Sequence, residues 1–270
     1  MIQTRQVRHA FADVNGLRLH RLEFGGSGRP IVCLHGVTGN AWVWHDTAAA
    51  LVGLGSVVSL DMRGYGQSQW SPNRSYSTDH HVADLEGVVA DLGADRVDVA
   101  GSSWGGLVAL AFAARNPGLI RRLALVDVEP SSQQGETDLF PRPRSFSSHA
   151  EAVEAERKAN PHAPDGMIDI MATTGTYPGP EGQLLNAHDP FFFERWPFRS
   201  DDRWEELPNL KMPTLVVHAE QSFIKADVAE RMANELPDAR LVNIPDSGHV
   251  IPVEQPVALG SALAAFFGES

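Results

Sequence analysis

Cysteine is nearly absent from the sequence, and this limits how the chain is held together. The 270 residues contain one cysteine, Cys33, which excludes an internal disulfide and favours a reducing compartment such as the cytoplasm. Cys33 lies within the apolar run 31–34. This context predicts a small buried side chain rather than a nucleophile.

Long hydrophobic runs and a surplus of basic residues are also missing. No stretch approaches the roughly 18 uncharged apolar residues that span a bilayer, and the first residues lack the apolar core of a signal peptide. We therefore expect a soluble, cytoplasmic protein with no membrane partner. The 22 basic and 34 acidic side chains give a net charge of −12, which argues against a nucleic acid or an anionic membrane surface as partner.

Short β-branched runs alternate with helical patterns along most of the chain. The predicted strands lie at 7–14, 17–24, 30–34, 56–60, 96–100, 122–127, 214–218 and 240–244. The first two surround Asn15-Gly16 and read as a hairpin. The alternation predicts an α/β fold with a mostly parallel central sheet and helices on both faces.

One segment, 131–206, differs in character from the rest of the chain. It is polar, rich in proline, serine and charged residues, and it shows no clear strand pattern. Helices are predicted at 148–159 and 164–172. We interpret 131–206 as a lid inserted into a single core domain, which is formed by residues 1–130 and 207–270.

The most specific motif lies in a predicted strand–turn–helix unit. Gly101-x-Ser103-x-Gly105 follows the strand pattern at 96–100 and precedes the helix-forming run 107–115. A serine on so sharp a turn has strained backbone angles, and glycines on either side let the strand and helix approach. The pattern is that of a nucleophile elbow, which raises the serine hydroxyl to the end of the sheet.

Three further motifs occur in a fixed order along the chain. They are Leu34-His35-Gly36, Asp61-x-Arg63-Gly64-x-Gly66-x-Ser68 and Ser247-Gly248-His249. Together with the elbow they make the sequence resemble the α/β-hydrolase superfamily over nearly the whole chain apart from the lid. The resemblance implies the α/β-hydrolase fold and a serine hydrolase with the order nucleophile, acid, histidine.

The resemblance also implies roles for particular residues. Ser103 is the nucleophile, and His249 is the general base that later protonates the leaving group. The backbone N–H groups of Val37 and Trp104 form the oxyanion hole. We expect neither a cofactor nor a metal ion.

The acid departs from the commonest family pattern. That pattern has an aspartate after the strand at 214–218, where this sequence has Ser222, and a serine cannot supply the negative charge that an imidazolium needs. Some family members instead carry the acid after the strand that follows the elbow helix, which here ends in Asp127-Val128-Glu129. Asp127 is therefore the predicted acid. The alternatives are Glu129, Glu220 and Asp227.

Aromatic side chains are candidates for an apolar substrate pocket. They include Trp42, Phe192 and Trp196, and the alternative is that these residues form the core of the lid. His188 is a candidate for contact with a polar substrate group. Specificity lies in the lid, the region that the fold constrains least.

The resemblance leaves several reactions open. The main hypothesis is cleavage of a carboxylic ester or lactone of a small, largely apolar molecule through an acyl-enzyme. The same residues serve amide and carbon–carbon hydrolysis. A receptor-like binding protein and a cofactor-free oxygenase are alternatives of other classes. Ser103 argues against dehalogenase and epoxide-hydrolase chemistry, since both need a carboxylate nucleophile.

Overall fold

The computed structural model describes residues 7–131 and 143–269. In chain order the strands are β1 (Arg8–Val14), β2 (Leu17–Gly25), β3 (Pro30–Leu34), β4 (Ser56–Leu60), β5 (Val97–Ser102), β6 (Ile120–Val126), β7 (Ser145–Phe146), β8 (Thr176–Pro178), β9 (Leu184–Asn186), β10 (Thr214–Ala219) and β11 (Ala239–Ile244). The α-helices are α1 (His45–Leu51), α2 (Thr78–Asp91), α3 (Trp104–Arg115), α4 (His149–Ala159), α5 (Asp165–Thr174), α6 (Ala226–Glu235), α7 (Ile251–Glu254) and α8 (Pro256–Phe267). Short 3₁₀ helices lie at Ala41–Trp44, Pro190–Phe193 and Trp204–Asn209. Within the described residues, no helix is long and apolar enough to cross a membrane.

Eight strands form the central sheet, in the order β1-β2-β4-β3-β5-β6-β10-β11. The predicted hairpin of β1 and β2 turns at Asn15 and Gly16, whose positive φ angles of 51° and 75° suit a tight hairpin turn. β2 is also antiparallel to β4, whereas all the other neighbouring pairs are parallel. The predicted mostly parallel sheet is therefore confirmed.

Alternate residues of β3 belong to different hydrophobic clusters. Val32 and Leu34 belong to the cluster that contains α2 and α3, and Ile31 and Cys33 belong to the cluster that contains α1 and α8. Because successive side chains of a strand point to opposite faces, these helix pairs cover the two faces of the sheet. The burial of all five β3 side chains follows from this arrangement.

The 131–206 segment lies in the connection between β6 and β10, which are neighbours in the sheet. Helices α4 and α5 match the two helices predicted there. The expectation of no strand is wrong, because β7, β9 and β8 form a small antiparallel sheet. These strands have two or three residues each and are too short to show an alternating pattern.

Parallel strands bring their carboxyl ends to one edge of the sheet. The turn at 35–40 follows β3, Ser103 follows β5, Asp127 follows β6, and residues 220–222 follow β10. In open α/β sheets, ligands bind outside this edge. The fold therefore gathers residues from distant motifs at the place where a site is expected.

Candidate active site

Ser103 occupies a strained turn between β5 and α3. Its φ of 54° and ψ of −125° lie in a region that residues with a side chain rarely adopt. The Ser103 N–H donates to the carbonyl oxygen of Val126 at 2.9 Å, which ties the turn to β6. The hydroxyl thus stands at the N-terminus of α3, where the helix dipole favours negative charge.

The turn can form only with glycine around it, because a Cβ has no room there. A Cβ on Gly101 would lie 2.2 Å from the carbonyl oxygen of Gly105. A Cβ on Gly105 would lie 2.5 Å from the carbonyl oxygen of His35, and one on Gly36 would lie 2.8 Å from Ser103 Cβ. The strand, the helix and the turn after β3 therefore meet in direct backbone contact.

His249 connects Ser103 to a carboxylate. Its Nε2 lies 2.8 Å from Ser103 Oγ, and its Nδ1 lies 2.7 Å from Asp127 Oδ2. When Nδ1–H donates to the carboxylate, Nε2 carries the lone pair that accepts the serine proton, which is the tautomer of a general base. The Phe223 ring packs beside the imidazole, with centroids 4.3 Å apart. Three side chains predicted from separate motifs thus form one hydrogen-bond chain.

Asp127 is buried and held by groups that follow β10. Its Oδ1 accepts from the Ala219 N–H at 2.8 Å, and its Oδ2 accepts from Ser222 Oγ at 2.5 Å. Ser222 occupies the position where the commonest family pattern has an aspartate, and here its hydroxyl donates to the Asp127 carboxylate. Sequence reasoning missed this contact because the two residues are 95 positions apart and meet only through the pairing of β6 with β10.

The alternative acids lie in other surroundings. Glu220 is exposed and accepts a backbone N–H of Asp246 at 2.9 Å. Asp227 is exposed in the first turn of α6, and Glu129 is half-buried, two residues beyond Asp127. Asp127 is the carboxylate 2.7 Å from the His249 ring.

The two predicted oxyanion donors belong to turns beside Ser103. Trp104 follows Ser103 as the first residue of α3. Val37 follows Gly36, the residue that contacts Ser103, and lines the same cavity as Ser103. Because β3 and β5 are neighbours, both turns lie at the same end of the sheet.

Side chains of the Asp61 motif hold the turn that contains Val37. Asp61 Oδ1 accepts from the Ala41 N–H at 2.6 Å, and His35 Nε2 accepts from the Met62 N–H at 3.1 Å. Burial lowers the pKa of His35, so that the neutral ring keeps the lone pair needed for this bond. The motif thus braces the turn from behind.

A second buried carboxylate lies beside the loop that carries His249. Glu254 is 2% exposed; it accepts from the Gly248 N–H and, at 3.5 Å, from the His162 N–H of the 131–206 segment. Burial raises the pKa of Glu254, against the opposing effect of these backbone hydrogen bonds. A Cβ on Gly248 would lie 2.7 Å from Glu254 Oε2, so a larger residue at this position would displace that carboxylate.

A cavity of about 700 Å³ lies over Ser103 and His249. Its core side is lined by the turn 36–39 and by residues that follow His249. Its other side is lined by β7, α4 and α5 of the 131–206 segment. Most side chains that the 131–206 segment contributes to the lining are apolar. The polar ones are Glu156, Lys158 and Asn160.

None of the four predicted pocket residues lines this cavity in the described part of the chain. Phe192 is 2% exposed and stacks on Tyr65, with centroids 4.4 Å apart. His188 is also buried. Trp42 and Trp196 are half-buried, and each packs against another ring at 5.6 Å between centroids. Each of the four side chains packs against another ring in the described part of the chain.

Sequence reasoning did not find the polar residues of the cavity wall. Glu156 and Asn160 are four residues apart at the end of α4, and both are buried. That spacing in a predicted helix places them on one face, but it does not tell which face meets the cavity. No motif marks either residue.

Comparison with known proteins defines the class to which the chain belongs. Residues 29–256 match the alpha/beta hydrolase fold family, and the chain belongs to that family. It is 29% identical over 251 residues to an N-formylmaleamate deformylase of Pseudomonas putida, with 89% of each chain covered. An esterase of Mycobacterium tuberculosis superposes with a TM-score of 0.80 at 26% identity, covering 98% of this chain and 91% of the other.

A further relative matches only part of the chain. The sequence is 36% identical over 138 residues to a soluble epoxide hydrolase of a Corynebacterium species, and this match covers 51% of the chain and 47% of the other protein. Family and relatives together make the chain a hydrolase of the α/β fold. The names of the relatives differ in the bond cleaved, so the substrate has to be argued from the site.

Proposed function

We propose that the chain is a serine hydrolase that cleaves a carboxylic ester or lactone of a small, largely apolar molecule through an acyl-enzyme. The observation that carries the proposal is the hydrogen-bond chain from Ser103 through His249 to Asp127, at 2.8 and 2.7 Å. The apolar cavity above it and the esterase relative support an ester substrate. A serine in place of a carboxylate at position 103 argues against epoxide opening.

In the first step, Ser103 Oγ attacks the acyl carbon while His249 Nε2 takes the hydroxyl proton. The negative charge moves to the carbonyl oxygen, where the N–H groups of Val37 and Trp104 stabilise it. Asp127 holds the imidazolium, and His249 then gives its proton to the departing alkoxide. The products of this half-reaction are the free alcohol and an acyl ester of Ser103.

In the second step, water takes the place of the alcohol. His249 removes a proton from the water, whose oxygen attacks the acyl carbon, and the same N–H groups stabilise the second oxyanion. The intermediate collapses, the Ser103 oxygen regains a proton from His249, and the carboxylic acid leaves. The described part of the 131–206 segment, through β7, α4 and α5, serves as the lid that covers Ser103 and His249.

Amide cleavage is the second candidate, and one relative favours it. The N-formylmaleamate deformylase is matched over 89% of this chain. The chemistry differs only in the leaving group, since an amine must be protonated by His249 as it departs. An N-formyl amide therefore belongs beside the esters in any substrate panel.

The proposal is tested by labelling with a fluorophosphonate and by assays on p-nitrophenyl esters, a lactone and an N-formyl amide. The wild-type protein should incorporate one label at Ser103 and hydrolyse at least one ester. Ser103→Ala should lose labelling and about 10⁶-fold in turnover, because the nucleophile is removed. Ser102→Ala is the matched control and should keep both. Labelling that maps to Ser102, or activity that survives Ser103→Ala, would contradict the proposal.

A further inference from the structure

One acceptor atom beside the cavity has no partner. Asn160 follows α4 directly, lines the cavity and is 3% exposed. Its Nδ2 donates to two oxygens of Glu156, the backbone carbonyl and Oε2, each at 3.2 Å. Its Oδ1 is buried and lacks a hydrogen-bond partner within 7–131 and 143–269.

The orientation of the Asn160 amide follows from its neighbours. A rotation that exchanged Oδ1 and Nδ2 would set the amide oxygen against the two Glu156 oxygens, three acceptors with no proton between them. Nδ2 is therefore committed to Glu156, and Oδ1 is the free end. A buried acceptor without a partner is unfavourable, and in native proteins a water molecule or a ligand donor supplies the missing bond.

The surroundings of Asn160 indicate what such a ligand looks like. On the same side of the cavity lie the apolar side chains of Phe146, Ala155 and Met171, while Ser103 lies on the core side. A molecule that presents its scissile bond to Ser103 directs another part toward α4. That part is apolar along most of its length and passes Asn160, whose amide oxygen lacks a partner, at the end of α4.

We propose that Asn160 Oδ1 is a subsite for a neutral hydrogen-bond donor, a hydroxyl or an amide N–H, carried by the substrate away from the bond that is cleaved. The substrate class is then a hydroxylated or amide-bearing ester rather than a plain alkyl ester. Glu156 and Lys158 also line this side of the cavity, and because their charges are opposite they favour neither a cationic nor an anionic group beside Asn160. The inference rests on the proposed function, since it assumes that the substrate is cleaved at Ser103.

The test uses pairs of esters that differ by one hydroxyl. One series is p-nitrophenyl alkanoates of four to about eight acyl carbons with and without a terminal hydroxyl, and the other is alkyl butyrates with and without a terminal hydroxyl on the alcohol. The measured quantity is the ratio of kcat/KM for the hydroxylated ester to that for the plain ester. In the wild-type protein, we expect the ratio to reach about fivefold at one chain length, the effect of one neutral hydrogen bond.

Substitution of Asn160 should remove this preference. Asn160→Leu keeps the volume and removes the acceptor, so the ratio should fall to about one or below. Asn160→Ala is the second variant, which keeps the test valid if the leucine variant does not fold. Asn116→Leu is the matched control: Asn116 follows α3 as Asn160 follows α4, its Nδ2 donates to Glu86 Oε1 at 2.8 Å, and it is not part of the cavity lining. It should lower stability and leave the ratio unchanged.

Two results would overturn the subsite. One is a wild-type protein without preference for a hydroxylated ester at any length, in which case the position holds only a water molecule. The other is a preference that both Asn160 variants retain. A wild-type protein that cleaves no ester and takes no label at Ser103 would instead overturn the proposed function along with the subsite.

Discussion

The cavity has two walls, and they are held in different ways. The core wall consists of the turn 36–39, Ser103 and His249. The opposite wall consists of β7, α4 and α5 of the proposed lid, and we call it the lid wall. In the core wall, backbone atoms pack so closely that a Cβ on Gly36 would come within 2.8 Å of Ser103. In the lid wall, helices pack through side chains around Met167, Ile168 and Met171.

Because of this difference, a substitution has a different effect on activity in each wall. Close backbone packing and a positive φ allow few residues at each position of the core wall, so a change there moves the reacting atoms for every substrate. Side-chain packing tolerates exchange of residues of similar volume, so a change in the lid wall alters which substrate fits.

After the loss of Ser103 itself, the largest expected effect is at Asp127, behind the core wall. Asp127→Asn keeps the size of the side chain but no longer holds the His249 tautomer in which Nε2 accepts a proton, so turnover should fall by about 10⁴-fold for all ester lengths alike. Steady-state kinetics on the p-nitrophenyl series measure this loss. A loss of turnover that is equal for all acyl lengths distinguishes an effect on the core wall from an effect on the lid wall.

Three controls identify the acid. Ser222→Ala removes the 2.5 Å hydrogen bond to Asp127 Oδ2 but leaves the charge, and it should cost about tenfold or less. Glu129→Gln and Glu220→Gln should be nearly silent. A collapse of activity in either glutamine variant, beside a near-normal rate for Asp127→Asn, would move the acid to that glutamate.

The next effect compares two residues of the 131–206 segment. Phe192 packs against Tyr65 and Tyr76 at 4.4 and 4.8 Å between centroids, so Phe192→Ala should lower the free energy of unfolding by about 3–5 kcal/mol and leave substrate ratios unchanged. Ala155 lines the cavity, and Ala155→Leu should reduce kcat/KM for long esters over short ones by about tenfold with little change in stability. Denaturant unfolding and kinetics measure the two. A substrate-ratio change at Phe192 would mean that it contacts substrate after all.

The smallest effect is a pH dependence of stability at His81, behind Trp104. The two rings meet edge-on with centroids 4.5 Å apart, and burial lowers the pKa of His81 well below the ordinary value of 6.5. As pH falls below 6.5, His81 becomes protonated in the unfolded chain but stays neutral in the folded protein. The free energy of unfolding therefore decreases by up to about 1.4 kcal/mol per pH unit.

A substitution isolates this contribution. His81→Leu should lose less stability than the wild-type protein between pH 7 and about pH 5, as measured by urea unfolding at each pH. The exposed residue His149 of α4, which is not among the groups that shift the pKa of His81, provides the control, and His149→Ala should follow the wild-type slope. If the free energy of unfolding falls equally steeply with decreasing pH in the wild-type protein and in His81→Leu, groups other than His81 govern the loss of stability in acid.

The sequence carries most of the information about the core wall. The fold class and the family are confirmed. Both could be predicted because hydrophobic alternation and the placement of glycines are local features of the sequence. Ser103 was predicted from the five positions 101–105. The strand–turn–helix has no room for a Cβ two residues before or after the serine, so both positions require glycine. His249 and Asp127 were predicted from motif order, and both lie within hydrogen-bond distance of their expected neighbours.

The lid wall is different, because its residues are chosen by packing between segments far apart in the chain. The glycine pattern around Ser103 and the order of the motifs can be read from the sequence, since both follow from backbone geometry at strand ends. The choice of Asp127 as the acid came from the resemblance to the family and stays a prediction. Three features could be seen only in the folded structure: Phe192 belongs to the core, Ser222 donates to Asp127, and Asn160 lines the cavity. An aromatic ring or an amide is compatible with either side of a helix, and the side is decided by which partners fold against it.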